Sequence, residues 1–239
     1  APSKMTLYLF PESGGRAQRY GFDNADGGKI TVPVGIYDAL AVNADTRAVL
    51  YRNTDSFATY EAYTDEVKII DGLNIESSAV PRAEGTEKER MAAQADKLWR
   101  GTTANKLVLK PRGGSATITL PMSQVSETYN ITVRNVGNLD DTGKTRFGAS
   151  ISTLAGSVRL ADGSFGDERV TIPTALKADA TNRTLTGRAV SLGNCAKGSQ
   201  RHFMMVYVIL SDGQKYGFKY DVSAQIRNAT DRSNIQIVI

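Results

Sequence analysis

The chain has 239 residues, 41% of them hydrophobic, which is enough apolar surface for one large β domain or two of ordinary size and too much for disorder. Its one cysteine, Cys195, excludes an intramolecular disulfide, one Cys with one His falls short of a zinc set, and no apolar run is long enough to span a bilayer. The net charge of +4 divides unevenly: residues 1–105 hold 12 Lys and Arg against 15 Asp and Glu, and residues 106–239 hold 17 against 10. The basic residues of the second half stand singly, as at Arg134, Arg159, Lys177 and Arg188. No aromatic platforms are interleaved with them, which argues against nucleic acid as a partner. Opposite half-charges favour contact between the halves or between successive molecules, weakened by screening.

The first strand is expected at Met5-Thr-Leu-Tyr-Leu-Phe10, followed by a Pro-Glu-Ser-Gly-Gly turn and a strand over residues 16–22. A turn at Asp26-Gly27-Gly28 leads into Lys29-Ile-Thr-Val-Pro-Val34, which alternates with Ile30, Val32 and Val34 on one face. Pro33 argues for an edge or a strand end there. Gly35 breaks the chain before a strand over residues 36–43, and shorter extended pieces are expected at Val49–Arg52 and residues 66–70. This spacing of short strands and turns predicts a sandwich.

Residues 81–100 change composition towards Ala, Glu, Lys and Arg. Thr86-Glu-Lys-Glu89 matches a capping box, and Met91, Ala95, Leu98 and Trp99 fall on one helical face. A short helix packing Trp99 against a sandwich and a partly ordered loop both fit this stretch. A domain boundary follows near Thr103, dividing the chain into residues 1–103 and 104–239.

Beyond it the period-two pattern resumes. Leu107–Leu109 extends to Lys110 as one strand, and Ser115-Ala-Thr-Ile-Thr-Leu-Pro-Met122 alternates Ala116, Ile118, Leu120 and Met122 with polar residues. Tyr129-Asn-Ile-Thr-Val-Arg134 turns Tyr129, Ile131 and Val133 inward, and further strands are expected at residues 149–153, 157–160, 169–173 and 184–192. The last third reads as strand, turn, strand, short loop, strand: residues 203–210, a two-residue turn at Asp212-Gly213, residues 216–222, then Asn234-Ile-Gln-Ile-Val-Ile239. The whole is all-β, two antiparallel β-sandwich domains with a possible short helix at their junction.

Several segments, taken in order, resemble a known family. They are the opening Met-x-Leu-x-Leu-Phe strand, Gly28-Lys-Ile-Thr-Val-Pro-Val-Gly-Ile-Tyr37, Asn43 and Arg52-Asn-Thr-Asp-Ser-Phe57. Tyr129-Asn-Ile-Thr-Val-Arg-Asn-Val136, Leu154-Ala-Gly156 and Leu185-Thr-Gly187 follow in the second half. The pattern resembles the fimbrillin superfamily of Gram-negative anaerobes, in the branch of the fimbrial anchor and accessory subunits, over nearly the whole chain. The resemblance implies two transthyretin-like domains and secretion as a lipoprotein. It also implies outer-membrane attachment through a lipidated cysteine upstream of Ala1, and a part in pilus assembly by strand addition. Stalk subunits of the family carry a long detachable strand. Nothing before Met5 serves as one and the chain stops at Ile239, so an anchor or accessory role is expected rather than a stalk role.

Asp23-Asn-Ala-Asp-Gly27 lacks the late bidentate Glu of a calcium loop and reads as a turn. His202 has no nucleophile signature beside it and reads as a strand-end surface residue; Cys195 reads as buried packing. Asp55, Glu61, Asp65 and Glu66 form an acidic cluster best read as solvated loop charge rather than glycosidase carboxylates. Three sequons, at Asn130, Asn182 and Asn228, are incidental under the bacterial origin that the resemblance implies. No enzymatic activity, cofactor or metal is expected. The expected function is structural: a cell-surface fimbrial anchor or accessory subunit that binds other fimbrial subunits by strand addition, with Ile235, Ile237 and Ile239 as the candidate edge. The alternative is a glycan-binding or host-adhesion module using the aromatic residues Tyr51, Phe57, Tyr60 and Tyr63.

Overall fold

The computed structural model describes residues 2–110, 115–139, 142–194 and 200–239; Cys195 lies outside them. In chain order the strands are β1 (Met5–Pro11), β2 (Gln18–Phe22), β3 (Gly35–Asn43), β4 (Val49–Arg52), β5 (Glu61–Thr64), β6 (Ile69–Ile70) and β7 (Ile75–Glu76). Next come β8 (Arg90–Met91), β9 (Trp99–Thr102), β10 (Leu107–Leu109), β11 (Ser123–Gln124), β12 (Glu127–Val133), β13 (Arg146–Ala155) and β14 (Ser157–Arg159). The last are β15 (Arg169–Asp179), β16 (Thr184–Ser191), β17 (Phe203–Ile209), β18 (Lys215–Asp221) and β19 (Ile235–Val238). The fold is all-β, with one short α-helix, α1 (Ser223–Arg227), among the described residues.

The first sheet is ordered β11-β9-β3-β1-β2, and β10 shares the outer side of β3 with β9. Its strands are apolar on both faces. Phe10, Leu40 and Val42 turn inward onto a small sheet, β14-β5-β4, through Val49, Tyr60, Ala62 and Val158. The opposite residues, Leu7, Leu9, Tyr37 and Ala39, form a separate cluster on the outer face. β1 and β3 therefore read as near-continuous apolar runs rather than clean alternations. Strand pairing crosses position 103: β10 and β11 complete the first sheet, β8 joins the second, and β14 comes from the second half of the chain.

The second sheet runs β18-β17-β13-β15-β16-β12-β19. β15 turns the corner of the sandwich. Its residues 169–176 pair with β13 and its last three, Lys177 to Asp179, pair with β16. The two layers close over Tyr129, Ile131, Ile151, Ile172, Met204, Ile235 and Ile237. On the far side of β17, Met205, Tyr207 and Ile209 are covered by Ile70, Leu73, Val80 and Met91. That second cover explains why Phe203-Met-Met-Val-Tyr-Val-Ile209 is apolar throughout. Two pairings are parallel, β12 with β19 and β8 with β15, where the sequence pattern led us to expect antiparallel ladders.

Several local expectations are corrected. Residues 86–99 form no helix, because the Glu89 carboxylate needed for the capping box is taken elsewhere. It accepts from Thr153 N–H (2.9 Å) and from the hydroxyls of Thr153 (3.1 Å) and Thr171 (2.7 Å). The turn after Ile209 spans three residues, not two: Leu210 N–H bonds Gln214 C=O, and Gly213 takes φ of 87° at the left-handed position. The connection from β18 to β19 holds α1 and a 3-10 turn rather than a bare loop. His202 is buried, 3% exposed, between Ser152 C=O and Ser223, because the start of β17 is roofed by the β18–α1 corner. Finally, Lys29–Val34 and Ser115–Met122, both read as strands, are not strands in the fold; only β11 begins just after the second.

Candidate strand-addition site

Those two unpaired segments flank a groove on the outer face of the first sheet, with a volume of about 1390 Å³. Its floor is Leu7, Leu9 and Ala39, from β1 and β3. One wall is Ile30, Val32 and Val34; the other is Val108, Leu109, Ala116, Ile118 and Leu120. Charged lining residues are limited to Asp26, Lys29 and Lys110. Among the described residues no backbone hydrogen bond joins the two walls. Side chains hold the first wall instead: the hydroxyl of Tyr20 donates to Thr31 C=O (3.2 Å) and that of Tyr37 to Pro33 C=O (3.0 Å).

The physical oddity is that residues 29–34 and 115–120 carry strand periodicity without strand partners among the described residues, although Val108 and Leu109 beside them belong to β10, which pairs with β3. Val34 is 59% exposed, Val108 54% and Ile118 37%, so part of each apolar set faces water. Pro33 removes one donor from the first wall but leaves its neighbours' N–H groups available. A groove this size exceeds the roughly 300–1,000 Å³ of small-molecule sites and is lined by alternating aliphatic residues rather than convergent polar ones. An extended peptide satisfies both of its needs, apolar cover and backbone hydrogen bonds. Sequence reasoning found the alternation on both walls and missed the groove, because periodicity says which face is apolar and not whether a neighbouring strand is present.

β19, which carries Ile235 and Ile237, is a terminal strand paired, among the described residues, on one side only, with β12. Ile235 and Ile237 are wholly buried in the molecule's own core, and Ile239 packs beside them. Its open side is partly occupied. Val238 faces away from β12, and its N–H and C=O both bond the Gln225 side-chain amide of α1, at 2.8 and 3.1 Å.

The four aromatic candidates do not form a common exposed platform. Tyr60 is 3% exposed and packs against Tyr8, Phe10 and Tyr51, with ring centroids 5.2, 5.8 and 5.5 Å away. Phe57 meets Phe10 at 5.9 Å, and burial pushes the Tyr51 hydroxyl up to about 12. Tyr63 is half-buried under the Arg52 guanidinium at 5.0 Å. The acidic cluster also disperses. Glu61 is held by Arg52 at 2.6 Å and by the Ser157 hydroxyl, and the Arg52 bond keeps its carboxyl below the usual range. Asp55, Asp65 and Glu66 are exposed. Asp23 to Gly27 forms an exposed turn, with Asp26 N–H on Asn24 Oδ1 (2.9 Å) and Gly27 at φ of 82°. Among the described residues no group of His, Cys, Asp and Glu is placed to hold a metal ion, and no helix is long and apolar enough to cross a membrane.

No curated protein matches the sequence. The fold is similar over its full length to that of a candidate adhesin from Bacteroides ovatus, with TM-score 0.68 at 18% identity, covering 100% of this chain and 86% of the other. It is similar to a candidate polysaccharide-binding protein from Bacteroides thetaiotaomicron, with TM-score 0.57 at 13% identity over 99% and 83% of the two chains. It is also similar to the fimbrial anchor protein Mfa2 from Porphyromonas gingivalis, with TM-score 0.54 at 14% identity over 99% and 82%. At these identities the likeness shows a shared fold, in keeping with the fimbrillin pattern in the sequence. Residues 1–175 match the family described as "Domain of unknown function (DUF5119)", and the chain belongs to that family.

Proposed function

We propose that this protein is a cell-surface fimbrial anchor or accessory subunit that holds a neighbouring subunit by strand addition, and that the outer groove of the first sheet receives the added strand. The observation that carries the reading is a pair of apolar, period-two segments, residues 29–34 and 115–120, that border an apolar floor without strand partners among the described residues. An inserted segment gains main-chain bonds along the walls, and its alternate side chains settle between Ile30, Val32, Ile118 and Leu120. The fold shared with a fimbrial anchor protein supports the assignment, as does the fimbrillin pattern in the sequence. β19 ranks second as an acceptor, because its inward side chains already fill the home core and Gln225 already caps Val238.

In this reading the protein is held at the outer membrane by a lipid on a cysteine upstream of Ala1. Mass spectrometry of protein from native membranes tests that part: an acylated cysteine agrees, and an unlipidated, proteolytically matured N-terminus contradicts it. The groove is tested by Val34→Asp with Ile118→Asp, two exposed wall positions outside the floor of Leu7, Leu9 and Ala39. The double variant is expected to fold, reach the surface and fail to join purified fimbriae. Incorporation at the wild-type level rejects the groove as the joint.

A further inference from the structure

We propose that β18 is a self-association edge, pairing antiparallel with β18 of a second copy of this chain about a twofold axis at Phe218. β18 ends the eight-stranded sheet and, among the described residues, pairs only with β17. The ladder runs through Tyr216↔Val208, Phe218↔Val206 and Tyr220↔Met204, closed by Leu210 N–H to Gln214 C=O and Val222 N–H to His202 C=O. Even-numbered residues therefore direct their backbone groups at β17. Lys215, Gly217, Lys219 and Asp221 direct theirs outward, as an unused seven-residue edge.

The side chains of this edge are self-complementary. Tyr216 is 48% exposed and Phe218 50%, on one face of a strand whose opposite face carries the lysines. Centred on Phe218, the antiparallel register sets Lys215 opposite the partner's Asp221, twice by symmetry, and Gly217 opposite the partner's Lys219. These are the hydrogen-bonded pairs, matching the outward backbone groups. The non-hydrogen-bonded pairs, where side chains approach most closely, are then aromatic: Tyr216 with the partner's Tyr220, and Phe218 with the partner's Phe218. Asp221 faces Arg201 of its own chain at 3.9 Å, a long and exposed ion pair that leaves its carboxylate within reach of a second cation. Its side chain is 45% exposed and is kept ionised by Ser223, whose hydroxyl and N–H both bond it, and its pKa is lowered.

Charge also rejects the neighbouring alternatives. Shifting the register by one permitted step either sets Lys215 against the partner's Lys219 or sets Lys219 against itself. Parallel in-register pairing stacks each lysine on its copy. Like charges directly opposite destabilise a sheet, so the Phe218-centred register is favoured over each of these. The contact is isologous and closes at two molecules, so it removes an exposed edge without opening a fibre. It does not depend on the groove, which belongs to the other sheet.

The test is disulfide trapping in a Cys195→Ser background. Directly opposite non-hydrogen-bonded residues lie about 4.5 Å apart at Cα, inside the reach of a disulfide. Phe218→Cys is therefore expected to cross-link to itself under mild oxidation. Tyr216→Cys is the control, because its copy lies four residues along the pair, roughly 13 Å away. Cross-linking is expected to be about tenfold or more faster for F218C than for Y216C, as proximity dictates. Circular dichroism verifies that both variants are folded, and sedimentation of the unsubstituted chain gives a second reading. A concentration-dependent dimer that Lys215→Glu converts to monomer supports the proposal. Equal, slow cross-linking of the two cysteine variants overturns it, as does a wild-type chain that stays monomeric into the high micromolar range. If a different protein occupies this edge, F218C stays uncross-linked and the proposal fails.

Discussion

Replacing Glu89 with alanine removes the clamp that holds the one β-branched residue with positive φ among the described residues. Thr153 sits at φ of 63°, inside β13, where the register against β15 shifts between Ile151 and Leu154. Such a conformation costs about 1–3 kcal/mol and persists only if its surroundings hold it. Here the Glu89 carboxylate accepts from Thr153 N–H at 2.9 Å, Thr153 Oγ1 at 3.1 Å and Thr171 Oγ1 at 2.7 Å. Thr153 is 6% exposed and Thr171 2%. Truncation orphans one buried N–H that cannot rotate away, worth about 1–3 kcal/mol, and removes charge-assisted bonds from two hydroxyls that can reorient. The expected loss is about 3–4 kcal/mol in urea unfolding, read as a lower midpoint at unchanged slope. Thr153→Gly relieves the strain as it gives up one hydroxyl bond, so it is expected within about 1 kcal/mol of wild type. If E89A costs under about 1 kcal/mol, or T153G costs as much as E89A, the clamp is not what holds this bulge.

Other consequences are equally concrete. Burial lowers the pKa of His202 below its ordinary 6.5, so the unfolded chain takes up a proton that the folded one refuses. Stability should fall as pH drops below about 6.5, and His202→Gln should flatten that part of the profile; an unchanged slope in H202Q removes His202 as its source. At Gly148, an added Cβ would lie 2.5 Å from Leu73 Cδ1 and 3.1 Å from both Thr174 C=O and the Tyr207 ring. Gly148→Ala should therefore cost about 1–3 kcal/mol in the same unfolding assay, and a neutral effect would contradict the close packing of β13 there. Gln225→Ala should uncap the open side of β19 and speed hydrogen exchange at Val238 without lowering the global unfolding midpoint by more than about 1 kcal/mol. Unchanged exchange at Val238 would mean that its amide is protected by something else.

Strand existence was legible wherever alternation met β-branched and aromatic residues: β1, β3, β12, β16 and β17 lie where the periodicity predicts them. What the pattern cannot carry is the identity of the partner. Lys29–Val34 and Ser115–Met122 alternate as well as any true strand, yet they border a groove, because pairing is a property of what lies alongside. The same limit applied to β19, whose alternation reads equally well as a docking edge or as core, and whose isoleucines are in fact buried. Residues 86–99 admit a helix as readily as a loop because Thr86 and Glu89 are spaced for a capping box; the long-range bonds of Glu89 to β13 and β15 are invisible in local sequence. His202 follows Arg201 and precedes an apolar run, so nothing local reveals that the β18–α1 corner roofs it. The exposed aromatics that the sequence led us to seek at residues 51–63 occur instead at Tyr216 and Phe218, which a strand-level reading assigns to an ordinary hairpin.

The most direct measurement of strand addition is amide hydrogen exchange, followed residue by residue, with and without a synthetic peptide of alternating valine and threonine capped by lysines for solubility. Insertion into the groove supplies acceptors to the wall N–H groups, so protection should rise at residues 29–34, Pro33 excepted, and 115–120 while β18 and β19 stay as they were. Protection that appears only along residues 215–221 or 235–239, or that fails to appear at saturating peptide, contradicts the groove as the acceptor.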